Sequence, residues 1–289
     1  MTMDMRELRS FVVLANQLHF GRAAALLNVS QPALSKQIRK LEMEIGAPLF
    51  HRGTAGTALS SVGAVLAKDA SDLLARFGEA LLRSQRAGRG EIGTLDIAFG
   101  IATYELVPRV LARFRQRYPD IHVSLRDLPS AEQVDALRAQ RLDIGFIRLP
   151  APDDLAVRPV CTERLILALP PAARAIQSVA ELHAVPLVLL HRDRTRFVFN
   201  QVMAVCAAFG VTPYVVQEVG EFSTALALVA SGAGASFVPN SARRDDLHIA
   251  FREIDHPAAS WSLGAVWRPG EDESIVTNFL SCLDAELAG

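Results

Sequence analysis

Five side chains within ten residues carry the most distinctive chemistry of the sequence: Gln31, Ser35, Lys36, Arg39 and Lys40. Gln and Arg each present paired hydrogen-bonding atoms that fit two atoms of a base edge at once, and Lys and Ser serve bases or phosphates. No acidic residue interrupts the run from Val29 to Leu41. The partner such a set suits is a polyanion with readable edges, double-stranded DNA. A solvated helix carries a similar basic stripe by default, so the reading depends on what holds these residues in place.

The holding element is a helix with a marked start and stop. Ser30 is placed to accept a hydrogen bond from a free first-turn N–H. Pro32 has a fixed φ that suits the first turn, and Gly46 and Pro48 end the helix. Leu34, Ile38, Leu41 and Ile45 recur at helical spacing and predict a buried face opposite the polar one. Upstream, Leu8, Phe11, Val12, Ala15 and Leu18 predict an amphipathic helix over Glu7–Leu18, and Arg22–Leu27 predicts a short second helix packed through its alanines. Helix, short helix, turn, helix is the helix-turn-helix plan, whose last helix enters the major groove by its N-terminal residues. Gln31, Pro32, Ser35, Lys36 and Arg39 occupy that end, with Arg22, Lys40 and Arg52 as further candidate contacts. After Phe50, HRGTAGTALSSVG predicts a glycine-rich two-stranded wing whose cations are Arg52 and a protonated His51. Ser60 or Ser61 then caps a long helix to about Arg86, with Val65, Leu66, Leu73, Leu74, Phe77, Leu81 and Leu82 in one apolar stripe. That stripe either packs on its own chain or pairs with a second copy. Pairing is favoured because symmetric half-sites suit helix-turn-helix proteins.

Charge is unevenly distributed along the chain. Residues 1–58 hold seven basic and four acidic residues, a net +3, so the remainder carries −4 of the total −1. Cys161, Cys206 and Cys282 form no CxxC pair, and their odd number and low density fit a reducing compartment. The histidines lack HxxxH or HExxH spacing, and no GxSxG or Walker loop occurs. No metal, no cofactor and no catalytic residue is therefore expected. The N-terminus has no secretory h-region. The longest nearly uncharged run, from Phe222 to Pro239, reads as a buried helix and strand rather than a membrane span, so a cytoplasmic protein is expected.

RAGRGEIG, from Arg86 to Gly93, combines glycines with charges and reads as a hinge. Beyond it, short apolar strands alternate with helices, which predicts a doubly wound α/β region with mostly parallel sheets. About 200 residues allow two lobes, with ligands bound beyond the carboxyl ends of strands. The loop Gly100–Tyr104 follows the first strand and opens a helix, so free N–H groups at Ile101 and Ala102 favour a carboxylate. Thr103 and Ser130 add hydroxyl donors, unless they serve only as helix caps. Arg148 is either a charge partner for an anionic ligand or a surface residue.

These residues also match a known family. Leu8, Phe11, Ala23-Ala24, Leu27, Val29–Ser35, Gln37-Ile38, Leu41-Glu42, Gly46 and Leu49-Phe50 resemble the N-terminal domain of LysR-type transcriptional regulators. The resemblance continues through Leu106-Val107-Pro108, Arg113-Phe114, Tyr118-Pro119, Asp143–Phe146, Leu228–Gly232 and Val238-Pro239. DIGFIRLP from Asp143 to Pro150, with Ser130 and Gln217-Glu218, resembles the branch that senses aromatic-degradation metabolites such as benzoate and muconates. The resemblance implies an α + α/β protein: a winged helix-turn-helix (1–60), a linker and dimerisation helix (61–87), and an effector-binding domain (88–289) like a periplasmic binding protein. Its lobe I is placed at about 93–161 plus 267–289 and lobe II at about 162–266. The resemblance further implies homodimers assembling to tetramers, a small-molecule effector of carboxylate type, altered transcription on effector binding, and contact with RNA polymerase. Within the branch the matching loops hold the effector, which points to Ile101, Ala102, Thr103, Ser130 and Arg148, with Phe197 on an apolar wall of the second lobe. The sequence departs from the family at Ala55, where the wing usually has a second basic residue, and at Ser60, where Thr is usual. The loss at Ala55 implies a weaker wing contact. An enzyme with a catalytic α/β domain tethered to DNA is the alternative, which the missing catalytic motifs disfavour.

Overall fold

The structure is a computed structural model and describes residues 4–53, 56–193, 195–270 and 274–288. The chain forms two compact units, Met1–Gly88 and Arg89–Gly289. In the first, α1 (Met5–Gln17), α2 (Phe20–Leu26) and α3 (Gln31–Ile45) are followed by the antiparallel strands β1 (Phe50–Gly53) and β2 (Gly56–Leu59), then by α4 (Ser61–Gly88). Local chemistry sets each start. Glu7 N–H donates to Asp4 Oδ1 at 2.8 Å while Asp4 N–H donates to Glu7 Oε2 at 3.3 Å, a reciprocal cap on α1. His19 Nδ1 accepts from Arg22 N–H at the start of α2, and Ser30 Oγ accepts from Ala33 N–H at the start of α3. Gly46, at φ +76°, adopts the left-handed conformation that ends α3. Ser60 caps α4: its Oγ accepts from Gly63 N–H at 2.9 Å and donates to the Pro48 carbonyl at 2.7 Å.

Phe11, Leu14, Leu34, Ile38, Leu41 and Leu49 fill the core of this unit. Ile45, expected on the buried face of α3, is 38 % exposed, because the core ends one turn earlier at Leu41. The apolar stripe of α4 divides. Leu66, Ala67, Ala70 and Leu74 pack on the core, whereas Val65, Leu73, Phe77, Leu81 and Leu82 are each half or more exposed. The expected hinge is narrower than its composition implied. Arg86 to Gly88 stay helical, and the turn that follows is tied to the last helix, where Asn278 Nδ2 donates to the Arg89 and Gly90 carbonyls.

The second unit has two lobes. In lobe I, β3 (Ile92–Phe99) lies between β4 (Asp120–Asp127) and β5 (Ile144–Arg148), all parallel, with α5 (Leu106–Arg117) and α6 (Ser130–Arg138) as crossovers. β6 (Ala156–Leu169) is fourteen residues long and continues into lobe II. There β7 (Pro186–Leu190), α7 (Arg196–Ala208), β8 (Tyr214–Val219), α8 (Phe222–Ala230), β9 (Ser236–Pro239) and β10 (Ala250–Glu253) follow. β11 (Ser260–Trp267) returns to lobe I, and α9 (Ser274–Leu287) packs against α5 and β3. The sheets are mixed, not mostly parallel. β11 is antiparallel to β5 and β6, and β9 and β10 are antiparallel to β6. Two strands that cross between lobes must run in opposite directions, which βα alternation alone does not reveal. Leu263–Val266, expected at the end of lobe II, pair with β5 of lobe I.

Candidate functional site

The α3 face is open where base reading requires it. Gln31, Pro32, Lys36 and Arg39 are exposed and Ser35 is half-buried. Among the described residues, no side-chain hydrogen bond or ion pair holds Gln31, Lys36 or Arg39. The other two candidates on this face differ. Lys40 Nζ lies 2.5 Å from Glu7 Oε1, a carboxylate only 7 % exposed, and this bond raises the Lys40 pKa above its ordinary value. Lys40 therefore fastens α3 to α1 through one donor, while its side chain stays 46 % exposed. Arg22 donates one N–H to the Gln17 carbonyl at 3.1 Å and so closes the end of α1, leaving the rest of an exposed guanidinium free. Arg52 sits in β1, but its side chain, like Ala55, lies outside the described residues.

The six residues proposed for the effector gather at the carboxyl ends of β3, β4 and β5 and on the facing lobe. Ile101–Thr103 form a 3-10 turn after β3. Ala102 packs against the lobe II cluster that contains Trp261 and Phe197, and Ile101 against the cluster of Ile166, Val238 and Ala242. Thr103 is buried, and its hydroxyl donates to the Gly100 carbonyl at 3.1 Å. A hydroxyl has one proton, and here that of Thr103 is directed to its own turn. Ser130 is the reverse case. It does not cap α6, whose N-cap is Pro129; its Oγ accepts from the Arg148 N–H at 3.3 Å. Its proton therefore remains free to donate.

Arg148 ends β5 with its guanidinium 4.2 Å above the Phe197 ring, and Phe197 meets Trp261 edge-on at 5.5 Å. The guanidinium is largely desolvated, which lowers its pKa from the ordinary arginine value. No carboxylate or carbonyl among the described residues contacts it. Arg148 is thus a half-buried cation stacked on one ring, with no anion beside it among the described residues. A separate open groove of about 660 Å³, lined by Leu149, Pro150, Pro152, Val157, Pro159 and Ser262 among others, contains none of the six residues. Its one charged side chain is Asp153, so an anion finds no anchor there.

Elsewhere in this unit the cysteines are apart in role. Cys206 and Cys282 are buried, and burial pushes the Cys206 thiol up to about 11 and raises the other two. Protonated thiols are poor nucleophiles. Among the described residues no group of His, Cys, Asp and Glu has the arrangement to hold a metal ion, and no helix is long and apolar enough to cross a membrane.

Comparison with known proteins places this geometry. Residues 5–64 match the bacterial regulatory helix-turn-helix protein, lysR family, and residues 88–288 match the LysR substrate binding domain. The chain belongs to the LysR family of transcriptional regulators. It is 32 % identical to the HTH-type transcriptional regulator ClcR of Pseudomonas putida, over 97 % of this chain and 98 % of the relative. It is 29 % identical to the HTH-type transcriptional regulator AlsR of Bacillus subtilis, over 96 % and 94 %. Among solved structures, CbnR, a LysR family transcriptional regulator, superposes with a TM-score of 0.80 at 30 % identity, covering 97 % of this chain and all of that one. Full-length CbnR complexed with its target DNA gives 0.79 at 28 % identity, over 99 % of this chain. The protein is thus a DNA-binding LysR-type regulator with an effector-binding domain.

Two residues of this LysR-type regulator escaped sequence reasoning. Glu42 accepts the Leu49 and Phe50 N–H groups at 2.9 and 3.3 Å, fastening the wing to α3. Trp261 forms the back of the Phe197 wall. The only sequence signal for Glu42 is its membership of the family motif, since no helical or strand period links positions 42 and 49.

Proposed function

We propose that the effector is a small organic acid, aromatic or dicarboxylic, held between the lobes by its carboxylate. The observation that carries this reading is the half-buried Arg148 guanidinium, stacked on Phe197 and free of any carboxylate among the described residues. Ser130 adds the second donor: the Arg148 N–H occupies a lone pair of its oxygen, so its proton points elsewhere. Charge-assisted bonds from a desolvated guanidinium are the strong kind, and the Phe197–Trp261 pair supplies an apolar surface for the rest of the acid. Binding favours one closure of the lobes and so shifts promoter binding; the acid must bind the two closures unequally for any shift to occur. On the DNA side, Gln31, Pro32, Ser35, Lys36, Arg39, Lys40, Arg22 and Arg52 meet the operator. The exposed α4 stripe pairs two copies, the pairs assemble to tetramers, and the assembly works in the cytoplasm with RNA polymerase as its further partner. The reading includes no catalytic step.

A thermal-shift series with benzoate, cis,cis-muconate and their methyl esters tests it. Free acids at 100 times Kd stabilise the protein by about 2.7 kcal/mol, and neither the esters on wild type nor the acids on Arg148→Met produce a shift. Equal stabilisation of wild type and Arg148→Met would remove Arg148 from the site. Turnover of a bound acid would favour the enzyme reading instead.

A further inference from the structure

The Ser130–Arg148 pair is held from behind by a residue that touches neither an effector nor the cleft. Gln133, in the first turn of α6, is 1 % exposed. Its Nε2 donates to the Leu128 carbonyl at 2.7 Å. Leu128 N–H in turn donates to the Phe99 carbonyl at the end of β3. These two bonds tie the β4–α6 loop across the strand ends, and that loop delivers Ser130 to the Arg148 N–H. The Arg148 N–H needs it. Leu149 N–H bonds to the Ser262 carbonyl on β11, so the Arg148 N–H points to the opposite edge of β5. There the pairing with β3 has already stopped at Gly145.

The other end of the Gln133 amide argues against a purely stabilising role. Its Oε1 is buried with no hydrogen-bond partner among the described residues and lies against Gly145, where an added Cβ would meet it at 2.9 Å. A buried acceptor without a partner is destabilising, and an apolar side chain of the same length would avoid it. The amide is explained by its donor end. We infer that Gln133 is a positioning residue that sets the Ser130 hydroxyl against Arg148 and so tunes carboxylate affinity without touching the ligand. This rests on the reading of Ser130 and Arg148 as the carboxylate donors.

Amide hydrogen exchange of the full-length protein, resolved to single residues by mass spectrometry, tests it without a ligand. In Gln133→Met, exchange at Arg148 and Leu128 accelerates by about tenfold or more, while the β7 amides and the melting temperature hold or the latter rises. Gly145→Ala is the second variant: its Cβ displaces the amide with Gln133 still present, and it accelerates the same two amides. In both variants the benzoate or muconate affinity falls by about tenfold. Wild-type exchange at Arg148 in both variants overturns the proposal, as does a uniform acceleration across lobe I with a lowered melting temperature. If Arg148 exchange accelerates but wild type gains no stability from either acid, the positioning role stands and the carboxylate reading falls.

Discussion

Lys40 and Arg39 are adjacent cations of one helix with different occupations. Arg39 is exposed and unpaired among the described residues, so Arg39→Ala is expected to cost about 1–3 kcal/mol of operator affinity in fluorescence anisotropy, with the melting temperature little changed. Lys40→Met strands the buried Glu7 carboxylate and is expected to lower the stability of the N-terminal unit first. If the two variants gave the same pattern, the division of labour drawn here would be wrong. Because Glu7 raises the Lys40 pKa above 10.5, the stabilisation from this pair is full below that pH and is lost as pH climbs past it. Tyr104 is a second titrating case. Its hydroxyl donates to Asp127, and that bond, helped by burial, pushes its pKa from 10.0 up to about 12. The raised value means the contribution is present below pH 10 and disappears through pH 12. Ultraviolet titration of wild type minus Tyr104→Phe isolates this group among the three tyrosines. Asp127→Asn should bring its midpoint down towards 10, and an unmoved midpoint would show that the carboxylate is not the cause.

At the scale of elements, the wing is held to α3 by the Glu42 carboxylate, and α4 starts against the backbone of Leu49. Gly63 sits in the first turn of α4, where an added Cβ would lie 2.1 Å from the Leu49 carbonyl oxygen. Alanine gains about 1 kcal/mol of helix propensity over glycine, but backbone cannot yield at that distance. Gly63→Ala is therefore expected to be net destabilising by roughly 1–3 kcal/mol in urea unfolding. Glu42→Ala removes the acceptor of two N–H groups and should cost a similar amount. A stabilised Gly63→Ala protein would mean that α4 does not start against Leu49. The glycine is visible in the sequence, but only as a poor helix former; the carbonyl it makes room for comes from fourteen residues earlier.

For the whole molecule, the unburied half of α4 is the face we propose for pairing two copies. Leu73, Phe77 and Leu81 stand half-exposed on a helix whose other face is already used. Fully burying such side chains is worth about 1.5–3 kcal/mol each, more than a surface helix would forgo without a partner. Phe77→Asp with Leu81→Asp should turn the assembly into monomers in sedimentation and weaken operator binding far beyond the loss at one half-site. An unchanged sedimentation coefficient would rule out this stripe as the pairing face.

The sequence by itself determined what repeats locally. Helix caps at Ser30 and at Ser60 or Ser61, the stop at Gly46, the buried spacing of Leu34, Ile38 and Leu41, and the βα alternation all depend on neighbours within a few residues. It also pointed to Ser130 and Arg148 through the βα alternation, and to Phe197 on the second lobe's wall through resemblance alone. Tertiary structure decided how their protons are spent. Thr103 and Ser130 look alike in sequence, yet one hydroxyl donates to the Gly100 carbonyl and the other accepts from the Arg148 N–H. Lys40 and Lys36 look alike, yet only Lys40 faces a buried carboxylate thirty-three positions away. A side chain's type fixes which bonds it is able to make, and only the fold fixes which partner comes within hydrogen-bond reach and takes them.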